Sequence, residues 1–194
     1  MKKTVTMILM ALAYVATFML GSCTGLIHPA CYAYVGALLP FLFALIYLKS
    51  CSVMMSFGAA TILNGFLLVV LLLAGEADIA LVIGLTVLTA LAEVIRYFTG
   101  YHTRKGVRRS FLPLAFSFFA YTAHWWTDTE GSLAAAVEEM REGYDQLMIP
   151  VIDNIPMLIV VLVLTVPVAL WAMRLAERVV KFPSGPGQTG TGKE

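Results

Sequence analysis

Charge is what this chain has least of. Only 13% of its 194 residues are Asp, Glu, Lys or Arg, whereas 60% are hydrophobic, and the mean hydropathy is +0.85. Soluble domains carry roughly 25% charged residues, so a single water-bathed core is excluded and the solvent this chain expects is lipid. Cysteine is scarce as well: Cys23, Cys31 and Cys51 show no metal-ligand spacing and make no disulfide framework, although a Cys23 to Cys31 bridge stays open. Catalytic signatures are missing. The chain has no His-Glu-x-x-His, no acid-rich prenyl-diphosphate motif and no serine in a recognisable elbow. Paired acids within a span, which a proton-coupled carrier needs, are absent too. The expectation is therefore a protein that is not an enzyme, without metal, cofactor or nucleic-acid partner. One phosphate-loop mimic is set aside: Gly187 to Lys193 spells Gly-Gln-Thr-Gly-Thr-Gly-Lys, but Glu194 stands where Ser or Thr must hold magnesium. With no strand before it, the segment 183–194 reads as a flexible cytoplasmic tail.

What is present is apolar length. Six stretches are long enough, or nearly so, to cross a hydrocarbon core, which takes about 20 helical residues. They run from Thr4 to Ser22, Ala30 to Leu48, Val53 to Ala74, Ile79 to Phe98, Phe111 to Trp126 and Ile155 to Val180. Strands in lipid must close a barrel and alternate in polarity, and no alternation occurs. The fold class is thus all-α integral membrane, a single six-helix membrane domain over residues 1–182. Pro113 falls near the start of the fifth stretch, where a missing N–H does little harm, while Pro167 inside the sixth predicts a kink.

Orientation follows from the basic residues. With the amino terminus cytoplasmic, every lysine and arginine except Arg141 falls on the inner side, and all acids except Glu93, Glu177 and Glu194 fall outside. Both termini are expected in the cytoplasm of a prokaryotic cell, with a multi-pass chain in the cell membrane. Lys2, Lys3, the apolar run and Leu20-Gly21-Ser22-Cys23 imitate a lipoprotein signal peptide, but the run is longer than a usual signal core, so an uncleaved first helix is expected. Glu93 and Arg96, three apart, suit pairing with each other or snorkelling.

The candidate site is Tyr121 to Asp128, Tyr-Thr-Ala-His-Trp-Trp-Thr-Asp, where an apolar segment emerges into an acidic one. Tyr121, His124, Trp125 and Trp126 could hold a small molecule there, although Trp and Tyr also collect at bilayer interfaces as anchors. Asn64 lies mid-span in the third stretch, and a buried amide in lipid must find either another helix or a ligand. Downstream, Ser132 can cap a helix in which Leu133, Val137, Met140, Tyr144 and Leu147 recur at three- and four-residue steps. This predicts an amphipathic extracellular helix between the fifth and sixth crossings, whose acidic face suits a lid better than a headgroup surface. Asp153 and Asn154 precede Pro156 as a helix cap. Ala11, Ala13, Ala16 and Thr17 make a small-residue patch on the first helix, where another helix can approach closely.

The order of these features resembles a known family: the substrate-binding membrane subunits, or S components, of energy-coupling factor (ECF) transporters, and in particular their MptD-like branch. The features are Ala-Leu-Leu-Pro at Ala37 to Pro40, the long third helix ending at Gly75, the basic loop after the fourth, the acidic segment Glu138 to Tyr144 and the Pro-interrupted last helix. The resemblance implies capture of a vitamin-like or other micronutrient from outside for ATP-driven uptake. The implied partners are a transmembrane coupling protein (T component), two cytoplasmic ATPases that hydrolyse ATP on its behalf, and membrane lipid. It assigns coupling to Ala11, Ala13, Ala16 and Thr17, where the family's alanine-xxx-alanine pattern appears in relaxed form. It assigns substrate binding to Tyr121, His124, Trp125 and Trp126, with Asn64, Tyr144 and Asn154 as second choices. The ring faces suit a flat or cationic solute, and His28 with His124 admits a haem or metal chelate. The competing class is a ligand-free membrane assembly or scaffold protein whose aromatic edge is only an anchor.

Overall fold

The computed structural model describes residues 2–180 and Phe182; Lys181 and the expected tail at 183–194, with Lys193 and the phosphate-loop mimic, lie outside the described residues. The described chain is helical throughout, without strands. Three helices are long and apolar enough to cross a membrane: the first with its 3-10 extension, Lys2–Leu26, then Ile79–Thr99 and Ile155–Val179. A fourth span is counted if the pair Pro29–Ala37 and Pro40–Val53, bent by 42°, is taken as one. The expected six crossings therefore reduce to three or four on length and composition.

The differences have local causes. The first helix, α1 (Lys2–Ser22), stands as expected. The second stretch is broken into α2 (Pro29–Tyr34) and α3 (Pro40–Val53), because Pro40 opens α3 and brings no N–H to continue the turn before it. Since α3 runs on to Val53, the third stretch starts late and leaves α4 (Ala59–Ala74) only 16 residues, about 24 Å at 1.5 Å per residue. Gly75 ends it at φ 80 and sends its N–H back to Leu71 and Leu72, a left-handed cap that a Cβ would strain. The fourth stretch is α5 (Ile79–Thr99), capped by Asp78, whose Oδ1 accepts from Leu81 N at 2.6 Å.

The fifth stretch departs furthest. Thr103 Oγ1 accepts from Gly106 N at 2.9 Å and starts α6 (Arg104–Leu114) well before the apolar run. Pro113 consequently sits at the end of a helix instead of its start, and the chain breaks there. Two short pieces follow, α7 (Ser117–Thr122) and α8 (His124–Thr127). The expected amphipathic helix is also two: α9 (Thr129–Glu139) and α10 (Tyr144–Ile152), parted at Gly143 with φ 78. Its cap is Asp128, not Ser132. The sixth stretch is α11 (Ile155–Val179), unbroken through Pro167 and capped by Asn154 Oδ1, which accepts from Met157 N at 3.1 Å.

Packing shows which surface expects lipid. α3 is central, in contact with α1, α4, α6 and α11, while α5 packs on α4 and α6. Phe43, Ala44, Tyr47, Leu48 and Cys51 of α3 are fully buried. Outward faces stay apolar: Val163 of α11 is 63% exposed and Ile83 of α5 is 58% exposed, a surface stable against hydrocarbon and not against water. Inside, Asn64 of α4 ties three other helices, α1, α5 and α7, to its own. Its Oδ1 accepts from Tyr14 Oη at 2.9 Å and Ser117 Oγ at 3.3 Å, and its amide donates to Thr89 Oγ1 at 2.9 Å.

One end of the bundle is basic. There Arg108 bonds Glu177 with both arms, at 3.3 and 2.5 Å, tying α6 to α11. The expected Glu93 and Arg96 pair does not form, and neither residue snorkels. Glu93 is buried and caps α4, accepting from Ala60 N at 2.9 Å and Thr61 N at 3.4 Å. Arg96 is fully buried, donates to Met54 O at 3.1 Å and lies 5.2 Å from the centre of the Tyr101 ring. Free N–H groups at the start of α4 and free carbonyls at the end of α3 attract opposite charges, which draws the two side chains apart.

Candidate functional site

At the other end the chain gathers its acids. The end of α1, the α4 to α5 turn, α7 to α9 and the start of α10 surround a cavity of about 410 Å³. That is a volume suited to a small molecule. Three stretches of sequence, 22–32, 75–78 and 121–144, build it, and hydrogen bonds fix the last two. Asp78 and Asp128 cap α5 and α9, with Asp128 Oδ1 accepting from Gly131 N at 3.2 Å. Tyr121 Oη donates to Glu76 Oε2 at 3.2 Å, joining α7 to the α4 to α5 turn. Ser132 Oγ meets His124 Nδ1 at 2.8 Å and His124 O at 3.1 Å, clasping α8 to α9.

The wall is both aromatic and acidic. Tyr32 stands edge-on to Tyr121 and Trp125, at centroid distances of 6.1 and 6.5 Å, and His124 lies 4.9 Å from Trp125. Tyr144 closes the set at 6.5 Å from Trp125. Glu76, Asp78, Asp128 and Glu139 all line the cavity. Trp125 and Tyr144 are 3% and 2% exposed, yet the indole N–H and the phenol hydroxyl have no partner among the described residues. Burial raises the phenol of Tyr144 above its ordinary pKa, so it remains a protonated donor at neutral pH.

Of the residues expected from the sequence, Tyr121, His124, Trp125 and Tyr144 are brought together here. Three others are not. Trp126 turns away, its N–H donating to Ile152 O at 3.1 Å. Asn64 lies in the middle of the bundle, and Asn154 serves as the cap of α11. His28 is elsewhere too, its Nδ1 accepting from Ala30 N at 3.1 Å, and no group of three His, Cys, Asp or Glu among the described residues is placed to hold a metal. Cys23 and Cys31 are free and exposed. Asp128 ended the expected stretch, whereas Tyr32, Ser132, Glu76, Asp78 and Glu139 were not among the expected site residues. Their signal was the segregation of acids to one set of loops, which gives a side of the membrane but not a shared wall.

On α1 the small residues divide. Ala11 and Thr17 are buried, Ala13 is half-buried and Ala16 is exposed, between Leu12 and Leu20 on the same outward stripe, which are 49% and 64% exposed. A second hollow of about 540 Å³ lies between α4 and α5. It opens on the apolar flank, and Asn64, Thr89 and Glu93 in its wall are already engaged with neighbouring helices.

The chain belongs to a family described as hypothetical bacterial integral membrane protein (Trep_Strep), whose model matches residues 1–182. No curated protein and no solved structure matches it. It is thus an integral membrane protein of bacteria, with several apolar helices.

Proposed function

We propose that this bacterial membrane protein is the substrate-binding subunit of an ECF-type importer, capturing a small ring-containing micronutrient from outside the cell. One observation carries the reading: a cavity with aromatic and acidic walls, lined in part by α9 and the start of α10, lies at the acidic end of an otherwise apolar bundle. The positive-inside rule puts that end outside. Six crossings with both termini inside also fit the chain, provided α4 and the α6 to α8 segment cross as short or broken elements. The bundle has no nucleotide-binding motif, so uptake needs energy from elsewhere. A T component and two ATPases supply it in this reading, and the chain itself is not an enzyme. Ala16, with Ala13 beside it, offers the close-approach surface on α1 that such a coupling protein would use.

Affinity purification from the native bacterium tests the assignment. The expected result is retention of a second membrane protein and an ATPase pair. A different stable partner, with no ATPase, would favour the scaffold class. For the cavity, His124→Ala and Trp125→Ala are each expected to abolish retention of the native small molecule in native mass spectrometry.

A further inference from the structure

Building on the capture reading above, we infer that the outer cavity takes a ring compound that bears a positive charge, paired with Glu76, Asp78, Asp128 and Glu139 across the faces of Tyr32, Tyr121 and Trp125. All four carboxylates line the cavity, and among the described residues no lysine or arginine does. Arg141 is on neighbouring chain but is directed at the Ile27 carbonyl, 3.5 Å away. The protein's own groups satisfy the acids only in part. Asp78 and Asp128 each use one oxygen to cap a helix, and Glu76 receives a single phenol hydrogen bond. Neutral donors leave the negative charge in place, so a cation is attracted and an anion repelled at the mouth.

Two further observations point to an organic body instead of an inorganic ion. The acids are spread around the wall, and no three metal-ligating side chains among the described residues converge. The tyrosine and tryptophan rings present negative faces, which favour a cation or an electron-poor ring. An amine or quaternary nitrogen carried on an aromatic ring defines the class.

Equilibrium dialysis of the full chain in non-ionic detergent tests this with three probes of similar shape: 1-methylnicotinamide, a cation; nicotinamide, neutral; and nicotinate, an anion. All three stay in water, so micelle partition does not imitate binding. The cation is expected to half-saturate at a concentration about ten-fold or more below the other two. Glu76→Gln with Asp78→Asn is expected to remove that advantage, so that the cation half-saturates this variant at the same concentration as nicotinamide does. Asparagine still caps a helix, and an unaltered circular dichroism spectrum confirms the fold. If nicotinamide or nicotinate matches the cation, the charge class is overturned and the cavity remains a ring site. A cation advantage that persists in the double variant overturns the assignment to these acids. Retention of none of the three removes both this inference and the cavity reading.

Discussion

His124 and Ser132 share two contacts across eight residues: the imidazole Nδ1 is 2.8 Å from Ser132 Oγ, and that same oxygen is 3.1 Å from the His124 carbonyl. A hydroxyl has one proton. When it goes to the carbonyl, the serine must accept from Nδ1–H, and Nε2 is left as the acceptor of a neutral ring. The pair therefore ties α8 to α9 at the cavity wall and couples the histidine tautomer to the direction of the serine hydroxyl.

Ser132→Ala is expected to unfasten that clasp. Losing a mostly buried hydrogen-bond pair destabilises by about 1 kcal/mol, read as a lower melting temperature in detergent. Ser132→Thr, which keeps the hydroxyl, is expected to lie between the two. An alanine variant that melts with the parent shows that α9 is held by other contacts.

Asn64→Ala removes a group with three side-chain partners. Polar contacts between membrane helices average about 0.6 kcal/mol each, so a loss of about 1–2 kcal/mol is expected. Tyr14→Phe, which breaks one of the three, is expected to produce a fraction of that. Equal melting curves for Asn64→Ala and the parent argue against its role as the joint between α1, α4, α5 and α7.

Glu93 caps α4 through one oxygen, while its other oxygen has no partner among the described residues. Glu93→Gln keeps an acceptor for Ala60 N and is expected to be nearly neutral. Glu93→Ala removes the cap and is expected to lose about 1–2 kcal/mol. Thermal melts of the two variants side by side make the comparison, and an equal loss in both implicates the charge instead of the cap.

Impermeant maleimide applied to whole cells tests the proposed topology. With Cys23 and Cys31 replaced by serine, Glu142→Cys is expected to be labelled and Lys105→Cys is not. Equal labelling of both positions removes the arrangement in which the α5 to α6 loop faces inward.

Ala16→Trp tests the proposed coupling face. It adds bulk on the outward stripe of α1 and is expected to abolish uptake while probe binding and melting temperature stay as they are. Ala11→Trp, at a 3% exposed position, is expected to prevent folding. Undiminished uptake in the Ala16 variant shows that α1 contacts lipid only.

Long apolar runs made α1, α5 and α11 legible, since nothing but a membrane helix uses about 20 such residues. The Asn154 cap was equally readable, because an amide just before a proline-led helix has few other uses. Other features depend on competition between neighbours. Thr103 captures the start of α6 and so shifts Pro113 to the wrong end of its helix. Asp128 takes the capping role that Ser132 would otherwise fill. Asn64 could not be assigned because sequence gives its depth in the bundle but not the tyrosine, serine and threonine that converge on it. The cavity was half-visible for the same reason: the aromatic cluster is contiguous, whereas Glu76 and Asp78 come from a turn some 45 residues upstream.

On the six-crossing reading, α4 carries an unusual consequence for the bilayer. At 16 residues, between Gly58 and Gly75, it spans about 24 Å where hydrocarbon is about 30 Å thick. It cannot lengthen without undoing both terminal glycine conformations. Lipids beside this flank compress their tails to match it, so the bilayer is thinned on one side of the protein, next to α4, and keeps its full thickness beside the longer α1, α5 and α11.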